Sequence, residues 1–113
     1  MATTAKLLFA SADLPNASAL LYTSPATGKG TWVDKATAVN HGGATYQITV
    51  YHVPSGGAAG TSNLKIDAKA IPDKATYLCP ELVGMYLPAG AMLYGFADTA
   101  AKVAFEVSGR EIT

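Results

Sequence analysis

The strongest constraint on this chain is a two-residue rhythm carried in short runs, each cut off by Gly, Pro, Asn or Asp. Val103, Phe105 and Val107 alternate with Lys102, Ala104 and Glu106. Leu64, Ile66, Ala68 and Ala70 alternate with Lys65, Asp67 and Lys69, and Tyr46, Ile48 and Val50 alternate with Gln47, Thr49 and Tyr51. A period of two sends successive side chains to opposite faces of a strand, so each run buries one face and wets the other. No stretch sustains a helical period.

The rhythm and its breakers predict strands over Lys6–Ser11, Ser18–Thr23, Thr31–Asn40, Ala44–Val53, Leu64–Ile71, Ala75–Cys79, Ala91–Ala97 and Ala101–Val107. At 113 residues there is chain for one core, so residues 1–113 are read as a single domain. The expectation is all-β: a single antiparallel β-sandwich of about eight strands, jelly-roll or immunoglobulin-like. His41-Gly42-Gly43 reads as a hairpin turn. The long polar stretch Pro54–Asn63 reads as an exposed crossing between two sheets, because burying it would strand its backbone polar groups. Leu14-Pro15-Asn16 and Pro88-Ala89-Gly90 read as further turns.

Charge narrows the function classes. Eight basic and eight acidic side chains cancel, which removes the basic excess that nucleic-acid binding needs. No apolar run approaches the length of a membrane span. The stretch Leu7–Ala10 is shorter than a secretion signal requires, so export by the general secretory route is not expected, and Asn16-Ala17-Ser18 reads as a turn rather than a glycan acceptor. The single cysteine, Cys79, forms neither an internal disulfide nor a cysteine-rich zinc site.

Chemistry-bearing motifs are sparse. Gly28-Lys29-Gly30-Thr31 lacks the upstream glycine of a phosphate loop and precedes a strand, so it reads as a β-turn. His41 and His52 are the only histidines and lack the helical spacing of a metal pair, so no metal or cofactor is expected. There is no nucleophile elbow, and the carboxylates are scattered, so the chain is not expected to be an enzyme. Trp32 and the tyrosines Tyr22, Tyr46, Tyr51, Tyr77, Tyr86 and Tyr94 suit sugar stacking, but packing is the favoured reading.

Leu21-Tyr22-Thr23-Ser24-Pro25, Tyr51-His52-Val53-Pro54-Ser55-Gly56-Gly57, Leu87-Pro88-Ala89-Gly90 and Val107-Ser108-Gly109-Arg110-Glu111-Ile112 form a further pattern. It resembles the small β-sandwich virion structural proteins of tailed bacteriophages and prophages. There a Tyr-Thr-x-Pro start precedes a strand, a Val-Pro-x-Gly loop follows a long one, and the last hairpin ends near Val-Ser-Gly. The resemblance runs from Tyr22 to the end of the chain. Gly30–Lys35 departs from it, standing where a more branched, isoleucine-rich strand is expected. The resemblance implies a non-enzymatic particle component assembled in the host cytoplasm. A head decoration or cement protein leads, with neck, collar or tail placement close behind. A carbohydrate-binding module is the alternative.

Only 14% of residues are charged, so much of the exposed surface of so small a domain must be apolar or weakly polar. Covering it with sister copies is favourable. A homo-oligomer is therefore expected, with a trimer preferred on particle symmetry, alongside contacts to other virion proteins. The candidate interface comprises Pro54, Gly56 and Gly57 of the long loop, with Leu82, Val83, Met85, Tyr86 and Leu87 of an uncharged apolar segment.

Overall fold

The computed structural model describes residues 2–113. The strands are β1 (Thr3–Asp13), β2 (Ala19–Thr23), β3 (Gly30–Asn40), β4 (Tyr46–Val53), β5 (Leu64–Ile71), β6 (Thr76–Tyr77), β7 (Tyr86–Leu87), β8 (Met92–Ala97) and β9 (Val103–Ile112). They form two sheets. The first runs β1-β9-β3-β6, with β7 also paired to β3; the second runs β2-β8-β4-β5. Every pairing is antiparallel.

Both β6 and β7 pair with β3, at Val39 and Ala38 and at Thr31 and Trp32, so they are two pieces of one broken edge. Counted as one, they leave eight strands, in the order of two interlocked Greek keys. That is the jelly-roll arrangement, which decides between the two architectures expected from the sequence. The chain crosses between sheets at every link except β4 to β5 and β6 to β7.

The alternation works as expected where the strand is regular. Ile48 and Val50 on β4, Leu93 and Ala97 on β8, and Val103, Phe105 and Val107 on β9 point inward and are buried. They meet Val33, Ala36 and Ala38 of β3, Ile66 and Ile71 of β5, and Leu14, Leu82 and Leu87 from the connections and the broken edge. Phe105, the largest fully buried side chain, has Phe9 of β1 against it with ring centroids 6.0 Å apart.

Four sequence expectations are corrected. The inward face of β5 does not continue through Ala68 and Ala70, which are exposed. Ala68 takes a left-handed backbone (φ 48) and the register slips between the Ile48 and Val50 pairings. A bulge of this kind adds one residue and reverses the faces beyond it, which returns Ile71 to the core. The buried Thr49 hydroxyl caps the bulge, accepting the Ala68 N–H at 3.2 Å.

The two connections between long runs are exchanged. Pro54–Asn63 joins neighbours β4 and β5 within one sheet, whereas His41-Gly42-Gly43 carries the chain from β3 in the first sheet to β4 in the second. Buried Asn40 holds that corner. Its Nδ2 donates to the carbonyls of Ala44 (2.7 Å) and Ile71 (2.8 Å), and its Oδ1 accepts the Gly42 N–H at 2.9 Å.

The last strand does not end at Val107-Ser108-Gly109 but continues to Ile112, pairing with β1 and β3 throughout. Gly109 lies inside it. A side chain there would collide with the Trp32 carbonyl, so glycine permits the close approach of β9 to β3. Finally, Leu82 and Leu87, expected at a subunit interface, are 0% exposed core residues, although the segment does contribute the short edge strand β7.

Candidate functional site

Among the described residues no enclosed pocket opens into the sandwich and no three metal-ligating side chains cluster.

Of the expected contact residues, Pro54, Gly56 and Gly57 are exposed in a turn closed by the Gly57 N–H donating to the Pro54 carbonyl at 2.9 Å. Val83 and Tyr86 are exposed and Met85 is partly buried against the core. Leu82 and Leu87 are core residues, hidden because the segment packs onto β3, so a partner cannot reach them. Ser55 of the loop sits against Gly90, in the turn that follows the segment.

The two outer sheet faces differ in chemistry. The first sheet interleaves charge with its exposed apolar side chains: Asp13 on β1, Asp34 and Lys35 on β3, Glu106 and Arg110 on β9. Arg110 grips Asp34 through Nε (3.1 and 3.0 Å) and Nη2 (2.9 Å), which holds the guanidinium above its ordinary range. Directly opposite Arg110 stands Trp32, which is itself opposite Tyr86. The two rings lie 4.9 Å apart, tilted by 43°, and are 36% and 41% exposed. Tyr86 lies over Gly30, whose φ of 111 and missing side chain make the space, and its hydroxyl donates to the Lys29 carbonyl at 2.8 Å.

The second sheet is different. Its strands β2, β8 and β4 read ALLYT, MLYGFA and YQITVYHV, with no acidic residue, lysine or arginine. On β8, Leu93 and Ala97 are buried while Met92, Tyr94 and Phe96 are partly exposed on the outer face. Leu20 pairs with Tyr94, Tyr94 with Tyr51, and Tyr51 with Leu64. Paired residues in an antiparallel ladder share a face. One apolar row therefore crosses all four strands, with Leu20 standing out at 52% exposure. The Phe96 ring stacks diagonally on Tyr51, centroids 6.4 Å apart. Charge returns only on β5, at Lys65, Asp67 and Lys69. This face went unnoticed in the sequence. Its signal was present as the missing charge in these strands, but joining them required the register.

A polar cluster ties the two sheets at one end. The Tyr22 hydroxyl of β2 donates to the Glu111 carboxylate and lies 3.0 Å from the Thr31 hydroxyl, which is 2.8 Å from that of Ser24. Lys6 Nζ stands 3.4 Å from Glu111. Burial, reinforced by Glu111, pushes the Tyr22 phenol up to about 12. The Tyr22 phenol therefore stays protonated at neutral pH, and its bond to Glu111 joins β2 of one sheet to β9 of the other. The histidines stay apart: His41 pairs with Asp13 at 2.6 Å, while burial and then Lys65 lower His52.

No family model, curated protein or solved structure matches this chain.

Proposed function

We propose that this chain is a non-enzymatic structural protein of the bacteriophage virion, acting as a head decoration or cement protein, with the neck, collar or tail as the second placement. The observation that carries this reading is the outer face of the second sheet, whose β2, β8 and β4 strands carry no acidic residue, lysine or arginine and leave charge only on the edge strand β5, which suits packing against other subunits better than solvent. The jelly-roll order agrees with it, since viral capsid proteins use that architecture. A fold alone assigns no function, so the sheet face carries the weight. Assembly in the host cytoplasm with no cofactor, and association with copies of itself and with other virion proteins, belong to the same reading. Quantitative mass spectrometry of purified particles tests it. The chain present at many copies per particle supports the proposal; its absence from particles of an expressing phage refutes it.

One observation favours a second reading, a carbohydrate-binding module. Trp32 and Tyr86 are neighbours, with the Arg110–Asp34 pair beside them. Flat rings next to polar groups suit sugar stacking. Glycan-array binding that Trp32→Ala abolishes without loss of β structure would favour this reading; a blank array would dismiss it.

A further inference from the structure

The geometry points to the outer face of the β2-β8-β4-β5 sheet as a self-association surface, where a second copy of this chain docks the same face in a two-fold pair. This does not depend on where the chain resides: a protein absent from particles can still pair this way, and a particle protein can fail to.

Three features choose a second copy as the occupant. The first is charge. β2, β8 and β4 carry no formal charge, and Lys65, Asp67 and Lys69 lie on the edge strand β5, so the centre of the face meets no like-charge repulsion from an identical copy while those charges stay at its rim. The first sheet cannot do this without placing Asp34, Lys35, Glu106 and Arg110 against copies of themselves.

The second is area. With strands about 4.8 Å apart and a rise of about 3.3 Å per residue, strands of 5, 6, 8 and 8 residues cover roughly 430 Å² in flat projection. Two such faces present about 860 Å² before the relief of their side chains is counted, close to the roughly 1,000 Å² that a specific interface needs. The molecule measures 45 × 26 × 19 Å, so a sheet face offers far more area than an edge.

The third is composition. Tyr94, Tyr51, Phe96, Met92 and Leu20 are the aromatic, methionine and aliphatic types that enrich the cores of protein contacts. The row Leu20–Tyr94–Tyr51–Leu64 crosses the sheet from edge to edge, so a two-fold partner lays its own row against it. A flat face that is its own complement closes with two copies. A ring of three instead needs two different patches to meet. The free edge β1 is a poorer candidate, because register shifts at Leu7/Phe9 and Phe9/Ala12 and the charge of Lys6 protect it from strand addition.

Sedimentation equilibrium of the full chain over a wide concentration range tests this, with Leu20→Lys and Tyr94→Lys on the proposed face and Thr37→Lys on the first sheet as a control. The wild type and Thr37→Lys are expected to approach twice 11.6 kDa. The two face variants are expected to raise the dissociation constant by more than about tenfold, with unchanged far-ultraviolet circular dichroism. Should Tyr94→Lys lose its β signal, Leu20→Lys decides, because Leu20 is already half exposed. A wild type that stays at 11.6 kDa throughout overturns the proposal. So does a pair that both face variants preserve, or a monomer whose Leu20 face instead carries it to neutral phosphatidylcholine vesicles on flotation.

Discussion

Tyr94 of β8 lies directly opposite Tyr51 of β4 on the outer face of the second sheet. The equivalent central position of the first sheet pairs Trp32 with Arg110. Both pairs sit on strands flanked by neighbours, and both put an aromatic ring on the surface. They differ in what surrounds the ring. Around Tyr94 stand Leu20, Tyr51 and the diagonal Phe96; beside Trp32 stand Tyr86 and a two-pronged ion pair. One face suits another apolar face, and the other suits water or a polar ligand.

Removing the Tyr22 hydroxyl tests the polar cluster between the sheets. Tyr22→Phe takes a charge-assisted hydrogen bond from Glu111 and is expected to cost about 1.5–3 kcal/mol. It also changes the alkaline limb of stability. The folded phenol lies at about 12 against an ordinary value of 10.0, so the folded state favours its neutral form. That stabilisation is complete below pH 10.0 and is lost as pH rises through about 12. Urea denaturation across this window is expected to show wild-type stability falling faster than that of Tyr22→Phe.

Asn40 is expected to be a costly polar side chain to remove. It satisfies two carbonyls and one N–H at the corner where the chain changes sheets. Asn40→Ala leaves the buried Ile71 carbonyl without a partner and returns the Ala44 carbonyl and Gly42 N–H to partial solvation, at about 1–3 kcal/mol. The urea midpoint is expected to fall while the m-value holds, since the surface exposed on unfolding hardly changes.

Gly30 can be tested through Trp32, the only tryptophan. Gly30→Ala forces a side chain into the Tyr86 ring at a backbone angle unsuited to alanine. The expected result is a loss of about 1–3 kcal/mol, and a red shift of Trp32 emission as Tyr86 leaves it. Unchanged emission would show that the two rings do not depend on each other.

Cys79 is expected to be inert in the folded protein. It is buried, and burial followed by Glu81 pushes its thiol up to about 12, leaving almost no thiolate at neutral pH. A disulfide reagent such as Ellman's is expected to react only at the rate of unfolding, and stoichiometrically in denaturant.

Much of the sandwich was legible because its regular strands obey one rule. Val103, Phe105 and Val107 announce their inward face in the sequence, as do Ile48 and Val50. The rule fails at β5, where the left-handed Ala68 inserts a residue that no side-chain pattern reveals. The two connections were exchanged because turn composition reports flexibility, not destination. A Gly-Gly turn can close a hairpin or round a corner, and buried Asn40, with partners in Ala44 and Ile71, decides which. Leu82–Leu87 stands out in the sequence as an apolar, uncharged run. Its alternation of buried Leu82 and Leu87 with exposed Val83 and Tyr86 depends on packing against β3. The adjacency of Trp32 and Tyr86, and the row from Leu20 to Leu64, both arise from strand register, which residues distant in sequence set together.

Hydroxyl-radical footprinting of the associated protein, read residue by residue against a dilute sample, tests most directly which face makes contact. Leu20, Met92, Tyr94, Phe96 and Tyr51 are expected to become protected on association, while Trp32 and Tyr86 keep their reactivity. Protection of Trp32 and Tyr86, with the Tyr51–Tyr94 pair left reactive, would contradict this.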